Sequence, residues 1–376
     1  MQSCDFLIVG AGIAGASAAY ELAAGGSVIV LEREEAPGYH TTGRSAAQFL
    51  ESYGNDVIRA ITRASRTFYD APPEGFAEHA LLSPRPSVYL AREDQLDSLA
   101  DFQKDPGADT AALTAAEVAE LVPVVRPGYA AAGLIEENAS DIDVHALHQG
   151  YLKGLRRRGG QVVTRAEVTA ARRAGGVWQV ETAKGAFAAP VLVNAAGAWA
   201  DALGRLAGAE PIGLQPKRRT AITFDGPEGS DCREWPLVAD IAESFYFKPE
   251  SGRLLASPGD ETPMEPCDVQ PEELDIAVTV DRIERATTLK VRRIAHKWAG
   301  LRSFVADKSL VIGFDGAVEG LFWLAGQGGY GIQTAPAAAR CAAALATGAD
   351  LPGDVAKLGL TAEAIAPARL RPRVLA

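Results

Sequence analysis

The chain of 376 residues is 47% hydrophobic and 23% charged, and 37 basic against 48 acidic residues leave a net charge of −11. That length suffices for a large core and two structural units, and the acidic balance argues against nucleic acid or an anionic membrane as the main partner while leaving room for a local basic site. No apolar run reaches the roughly 18 residues of a spanning helix, and no basic leader with a cleavage site opens the chain, so a cytoplasmic protein without a transmembrane segment is expected.

Residues 5–32, "DFLIVGAGIAGASAAYELAAGGSVIVLE", carry the strongest motif. An apolar run of strand length, Phe6–Val9, leads into Gly10-x-Gly12-x-x-Gly15, then an alanine-rich helix to about Ala24 and a second apolar run, 28–31, ending at Glu32. In such a unit the first glycine permits a tight turn, the second lets a pyrophosphate approach the backbone, and the third lets helix and strand pack closely. The helix N-terminus offers free N–H groups and a positive dipole to phosphates. Glu32 follows Gly12 by twenty residues, the spacing at which an acid holds ribose hydroxyls. The motif points to a dinucleotide and leaves NAD and FAD both open.

Downstream, Gly43, Arg44 and Ser45 supply a turn, a cation and a hydroxyl. Helical patterns fill 55–70 and 91–122, and "LLSPRPSVYLA", "RRTAITFDG" and "SFYFKPESGRLLAS" read as strands of a mixed or antiparallel sheet. Residues 159–173 read as two strands joined by a turn, and 189–201 as a buried strand, a small-residue turn and a helix start. "DVQPEELDIAVTVDRIERA" predicts a capped helix with Pro271 in its first turn. "LAGQGGYGIQTAP", 324–336, holds four glycines ahead of an alanine-rich helix, more than a plain turn requires. The tail after Leu351 carries several prolines and is expected to be partly loose.

Cys4, Cys232, Cys267 and Cys341 are scattered without metal-ligand spacing, which suits reduced thiols. The five histidines form no metal cluster; His145 and His148, three apart, read as ordinary helix surface or core.

The strings "YHTTGRSAA", "LLSPRP", "SDIDVHALHQGYLKG", "VLVNAAGAW", "LQPKRRTA", "ESFYFKP", "VQPEELDIA", "ATTLKVRRIAHKWAGLRSFVADKSLVIGFD" and "QGGYGIQT" occur in that order. Through them nearly the whole chain resembles the D-amino acid oxidase-like family of FAD-dependent amine and amino acid oxidoreductases, most closely its D-arginine dehydrogenase branch. The resemblance implies an α/β fold: a Rossmann-type FAD-binding domain from 1–48, 141–214 and 300–376, and a mixed-sheet α+β substrate domain from 49–140 and 215–299. It also implies FAD as the cofactor. Gly10, Gly12, Ala14, Gly15, Glu32 and Arg33 would serve its nucleotide half, together with Val168, Ala195 and Gly197. Thr42, Arg44, Ser45, Ala46 and Gly300 would continue the site. The loop Gly328, Gly329, Tyr330, Gly331, Ile332 and Gln333 would return to the isoalloxazine, with the following helix dipole favouring negative charge at N1–C2=O. No cysteine matches a covalent flavin attachment and His40 is only a remote candidate, so non-covalent FAD is expected.

By the same resemblance Arg219 and Arg302 grip a substrate carboxylate, which their planar forks suit, and Tyr53 and Tyr246 line the pocket. Gln48 and the Gly329 carbonyl are placed to orient the amine. Two positions depart from the arginine-preferring relatives: Gln48 stands where they have a histidine that bonds the substrate, and Ser87 where they have a glutamate that pairs with the guanidinium. Leu237 and Ala239 suit neutral side chains, with Asp240 and Glu243 as candidate compensating acids. The implied reaction is oxidative deamination of D-amino acids, by hydride transfer from Cα to flavin N5, to an imino acid that hydrolyses to a 2-oxo acid and ammonia. Neutral or apolar side chains are expected to be favoured over D-arginine and D-lysine. The electron acceptor, oxygen or a quinone, stays open. A secondary-amine or 2-hydroxy-acid oxidoreductase of the same fold is the alternative, and a silent FAD-binding module the reading from another class.

Overall fold

Four β-sheets organise the chain in the computed structural model, which describes residues 1–104 and 109–371. The six-stranded sheet runs Gln161–Val163, Val28–Leu31, Phe6–Val9, Val191–Asn194, Leu321–Ala325 and Val311–Phe314; all neighbours are parallel except the last pair. Its central strands are apolar on both faces because both are covered. Alternation sends Ile8, Val30, Val193 and Phe322 toward one core, shared with the helices Ile13–Leu22 and Gly331–Ala346. Leu7, Ile29, Leu192 and Trp323 enter the opposite core with Trp178 and Phe187. These last two belong to a four-stranded sheet, Gln2–Ser3, Gly185–Ala189, Val177–Thr182 and Val168–Ala174.

The large mixed sheet runs Thr262–Pro263, Gln215–Phe224, Arg253–Ser257, Tyr246–Glu250, Leu237–Asp240, Ser87–Ala91, Ala132–Glu136 and Ala111–Thr114, with Ile294–Phe304 pairing along Gln215–Phe224. One neighbouring pair, Leu237–Asp240 with Ser87–Ala91, is parallel. The helix Glu273–Ala286 packs its Ile276 and Ile283 into the core of this sheet. A small sheet of Gln48–Phe49, Ser140–Ile142 and Leu82–Pro84 lies where the chain passes between the two larger units.

Two sequence expectations, the single helix over 91–122 and the place of Pro271, need correction, and two observations bear on others. The 91–122 pattern is not one helix: the helices Leu96–Lys104 and Ala115–Leu121 flank the strand Ala111–Thr114, and 105–108 lie outside the described residues. Pro271 precedes the helix Glu273–Ala286, whose N-cap is Glu272. The expected boundary at 299/300 falls inside the continuous strand Ile294–Phe304. The tail is packed as far as it is described, with Val355 and Ile365 fully buried in helices Gly353–Lys357 and Ala362–Ile365; 372–376 lie outside the described residues.

The long helix Gly331–Ala346 carries Pro336 inside it. Proline has no N–H and leaves the carbonyl four residues earlier without its helical partner. That carbonyl belongs to Ile332, and the buried Tyr69 hydroxyl donates to it at 2.5 Å. The helix Asp56–Asp70 thus repairs the break and fixes the start of the helix behind the glycine loop.

Candidate active site

At the C-terminal edge of the parallel sheet the first turn closes on Gly10. Its φ is +104° and an added Cβ would stand 2.3 Å from the Ala195 carbonyl oxygen; at Gly15 it would stand 1.9 Å from the Gly10 oxygen. Neither position admits a side chain without moving backbone. Gly12 caps the helix Ile13–Leu22, and Thr42 Oγ1 accepts from Ile13 N at 2.9 Å, satisfying one of the helix's free donors. Glu32 is buried, and its two carboxylate oxygens accept from Ala11 N at 2.8 Å and Glu34 N at 2.9 Å. It therefore braces the loop as well as lining the cleft. His148 donates from Nε2 to the Ala11 carbonyl at 2.8 Å, and burial holds its pKa below the usual value, which keeps it neutral.

The cleft beside this turn is lined by Arg33, His40, Val168, Gly197 and Trp199. The Arg33 guanidinium lies 4.8 Å from the Trp199 ring centre, and the His40 ring also packs on Trp199. His40 thus sits at the end of the cleft that carries Glu32. The cleft continues past Gly12, Ala14, Thr42, Ala195 and Gly197 to Arg44, Ser45, Ala46, Gly300, Gly328, Gly329, Gly331 and Ile332. Arg44 donates to the Val269 and Ala299 carbonyls and pairs with Asp268, tying this end of the cleft to the large sheet. Gln327, not singled out from sequence, also lines it, and its buried Nε2 has no hydrogen-bond partner. A glycine cradle, an acid at the nucleotide end and an unspent donor at the far end are the features an extended dinucleotide needs, so the residues fit FAD.

Beyond the glycine loop a second cavity opens, lined by Gln48, Tyr53, Arg219, Tyr246, Arg302 and Gly329 together. Strand register explains the two arginines. Lys217 pairs with Arg302 and Arg219 with Gly300. Because side chains alternate, Arg219 and Arg302 share one face of the ladder as diagonal neighbours. Arg218 faces the other way and is consumed by Asp260, Glu272 and Asp275. Arg219 is steadied by donation from Nε to the Asp260 carbonyl at 2.8 Å, with Glu261 3.8 Å from Nη2. Arg302 donates to the Tyr53 hydroxyl at 3.3 Å, and among the described residues no carboxylate lies within ion-pair distance of it. Burial would raise the Tyr246 pKa, but the Arg302 and Arg219 guanidiniums outweigh it and hold the phenol below its usual value. Tyr53 moves the other way, raised by burial.

Gln48 is buried and donates from Nε2 to the Arg85 carbonyl at 2.9 Å, while its Oε1 has no partner. A carbonyl can only accept, so the amide must turn its nitrogen to Arg85 and its oxygen away. Much of the remaining wall is apolar, from Leu50, Phe102, Leu237, Ala239, Ile241 and Phe245, with the Tyr89 ring beside them. Glu243 lines this cavity, at φ +55° in the turn between two strands. Asp240 does not; its carboxylate is held by Arg92, Gln95 and the 242–244 turn.

Two other expected site residues stand back from the cavities. Ser87 is fully buried and does not line the second cavity; its Oγ approaches the Tyr89 hydroxyl without a well-formed hydrogen bond. Tyr330 packs behind Tyr53, ring centres 4.8 Å apart, and Gln333 both lines the cavity and bonds the Leu50 backbone. Among the described residues no cluster suits a metal ion, and no helix is long and apolar enough to cross a membrane.

The family model described as "DAO: FAD dependent oxidoreductase" matches residues 5–345. The chain belongs to this family. It is 26% identical over 262 residues to mitochondrial dimethylglycine dehydrogenase of Mus musculus, a match covering 68% of this chain and 30% of that protein. The chain thus spans about a third of the length of that relative. In fold it is similar to L-proline dehydrogenase from P. horikoshii, with a TM-score of 0.84, 21% identity and 98% of each chain covered. It is likewise similar to glycine oxidase from Geobacillus kaustophilus, with a TM-score of 0.81, 22% identity, and 96% and 99% of the two chains covered. This oxidoreductase is therefore FAD-dependent, with the fold of these neighbours.

Proposed function

We propose that the chain oxidises α-amino acids, and specifically D-amino acids with neutral or apolar side chains. The observation that carries the reading is the pair Arg219 and Arg302 on one ladder face, with Tyr53 and Tyr246 beside them, opening on a largely apolar wall in which Glu243 is the one carboxylate among the described residues. Two guanidiniums and two phenols suit a carboxylate, which accepts at both oxygens. Gln48 Oε1, a pure acceptor, suits an amine N–H. Leu237, Ala239, Ile241 and Phe245 suit an aliphatic or aromatic side chain. The D configuration is supported by the strings shared with the D-arginine dehydrogenase branch. Bound non-covalently, FAD would supply the two-electron acceptor for the substrate Cα–H, leaving an imino acid that water converts to a 2-oxo acid and ammonia. Placement of the substrate by the clamp and by Gln48 is the chain's own contribution, and no dedicated base is assigned.

Secondary-amine acids are the second reading, favoured by the name of one structural neighbour, L-proline dehydrogenase, and by Gln48, whose acceptor serves a secondary amine equally. Tertiary amines in their neutral form have no N–H for it. The test is anaerobic bleaching of the flavin by D- and L-leucine, D-methionine, D-phenylalanine, D-arginine, sarcosine, L-proline and dimethylglycine. Fast bleaching by the neutral D-amino acids, at least matching D-arginine, supports the first reading. Bleaching confined to N-substituted acids replaces it with the second.

A further inference from the structure

Glu136 ends the strand Ala132–Glu136 and is 2% exposed. Among the described residues no Lys, Arg or His nitrogen is within ion-pair distance of it. Its Oε1 accepts from Glu51 N at 2.7 Å and Ser52 N at 3.4 Å, and its Oε2 from Ser52 Oγ. Ser52 Oγ in turn lies 3.5 Å from the Tyr89 hydroxyl, and Tyr89 lines the substrate-side cavity. Residue 53 follows directly, with its hydroxyl on Arg302 Nη1. A carboxylate buried without a cation is costly, and burial pushes the Glu136 carboxyl above the usual range against the donors that lower it. An anchor of a simple surface turn has no need of such a group.

The rest of the segment is held independently. Gln333 bonds the Leu50 backbone through both ends of its amide, and Arg59 Nε donates to the Gly54 carbonyl at 2.8 Å. Between these two ties, among the described residues, Glu136 is the side chain whose hydrogen bonds hold the 51–52 backbone, while the Glu51 carboxylate faces Arg63 and Arg66 on the surface. We propose that Glu136 is a positioning residue of the carboxylate clamp: by gripping the Glu51–Ser52 turn it sets the Tyr53 hydroxyl against Arg302. The proposal rests on the clamp of the preceding reading, but not on which amino acid is oxidised.

The experiment is a double-mutant cycle on the FAD-loaded protein, read as the dissociation constant of benzoate from the change it makes in flavin absorbance. Benzoate offers a carboxylate and does not react. Glu136→Ala is expected to weaken benzoate about tenfold, and by less than about twofold in a Tyr53→Phe background, because the two residues act through one contact. Glu136→Gln, which keeps one acceptor for the backbone donors, should fall between. Equal losses in both backgrounds, or no loss in Glu136→Ala, would overturn the proposal and leave Glu136 a plain structural anchor. If Glu136→Ala does not retain FAD, the cycle is run with Glu136→Gln and decided by the same criterion of non-additivity. Wild-type protein that binds benzoate but is bleached by no amino acid would sink the substrate reading while the cycle still decides on Glu136. Wild-type protein that ignores benzoate would have no clamp to position, which overturns the proposal as well.

Discussion

Gly329 lies directly against the Arg302 guanidinium: a Cβ on Gly329 would stand 2.9 Å from Arg302 Nη1 and 3.1 Å from Cζ. The glycine loop and the proposed carboxylate clamp therefore meet at one point, and the absence of a side chain at 329 sets how the arginine lies over the loop. Gly329→Ala should push the guanidinium aside while leaving the nucleotide end untouched. The expected outcome is normal FAD content with kcat/KM on amino acids lowered about tenfold or more, since small misplacement of a binding group is costly. Steady-state kinetics on protein of measured flavin content checks it.

Arg302 itself has a sharper signature. Arg302→Met should keep FAD and lose on the order of 10²-fold in kcat/KM, from loss of a charge-assisted contact in a dry cavity. Amines without a carboxylate should be spared. Equal losses on both substrate classes would assign Arg302 to the flavin or the fold.

The two tyrosines of the proposed clamp predict a pH dependence with a definite sign. Below its pKa Tyr246 is a neutral donor; above it, a phenolate that repels a carboxylate and neutralises part of the arginine charge. Arg302 and Arg219 hold that pKa down against the burial that would raise it, so the change comes below the usual value of about 10. Tyr53, raised by burial, stays protonated over that range. Benzoate affinity should fall as pH rises through the Tyr246 pKa, and Tyr246→Phe should abolish the fall. A fall that persists in the variant would assign it to another group.

What could be read from sequence is what is local. Gly10, Gly12 and Gly15 follow each other along the chain, and their spacing alone requires a tight turn and a close helix. The loop 326–331 is legible for the same reason. Register is not local: Arg219 and Arg302 lie 83 positions apart in sequence yet share a ladder face, and only the pairing of Lys217 with Arg302 shows it. His148 and Glu136 are invisible for a related reason, since each serves a backbone group more than eighty residues away. Ser87 shows the limit of carrying a role across by position: its strand neighbour Tyr89 reaches the cavity, whereas Ser87 is buried behind it, in register with Glu136. A glutamate placed there would meet another buried carboxylate.

The measurement that bears most directly on the whole account is anaerobic mixing of the FAD-loaded protein with D-leucine and with 3-methylbutylamine, the same molecule without its carboxylate. The account predicts rapid bleaching of the flavin by D-leucine and little or none by the amine at equal concentration. Bleaching by the amine as fast as by D-leucine, or no bleaching by D-leucine while N-substituted acids react, would contradict it.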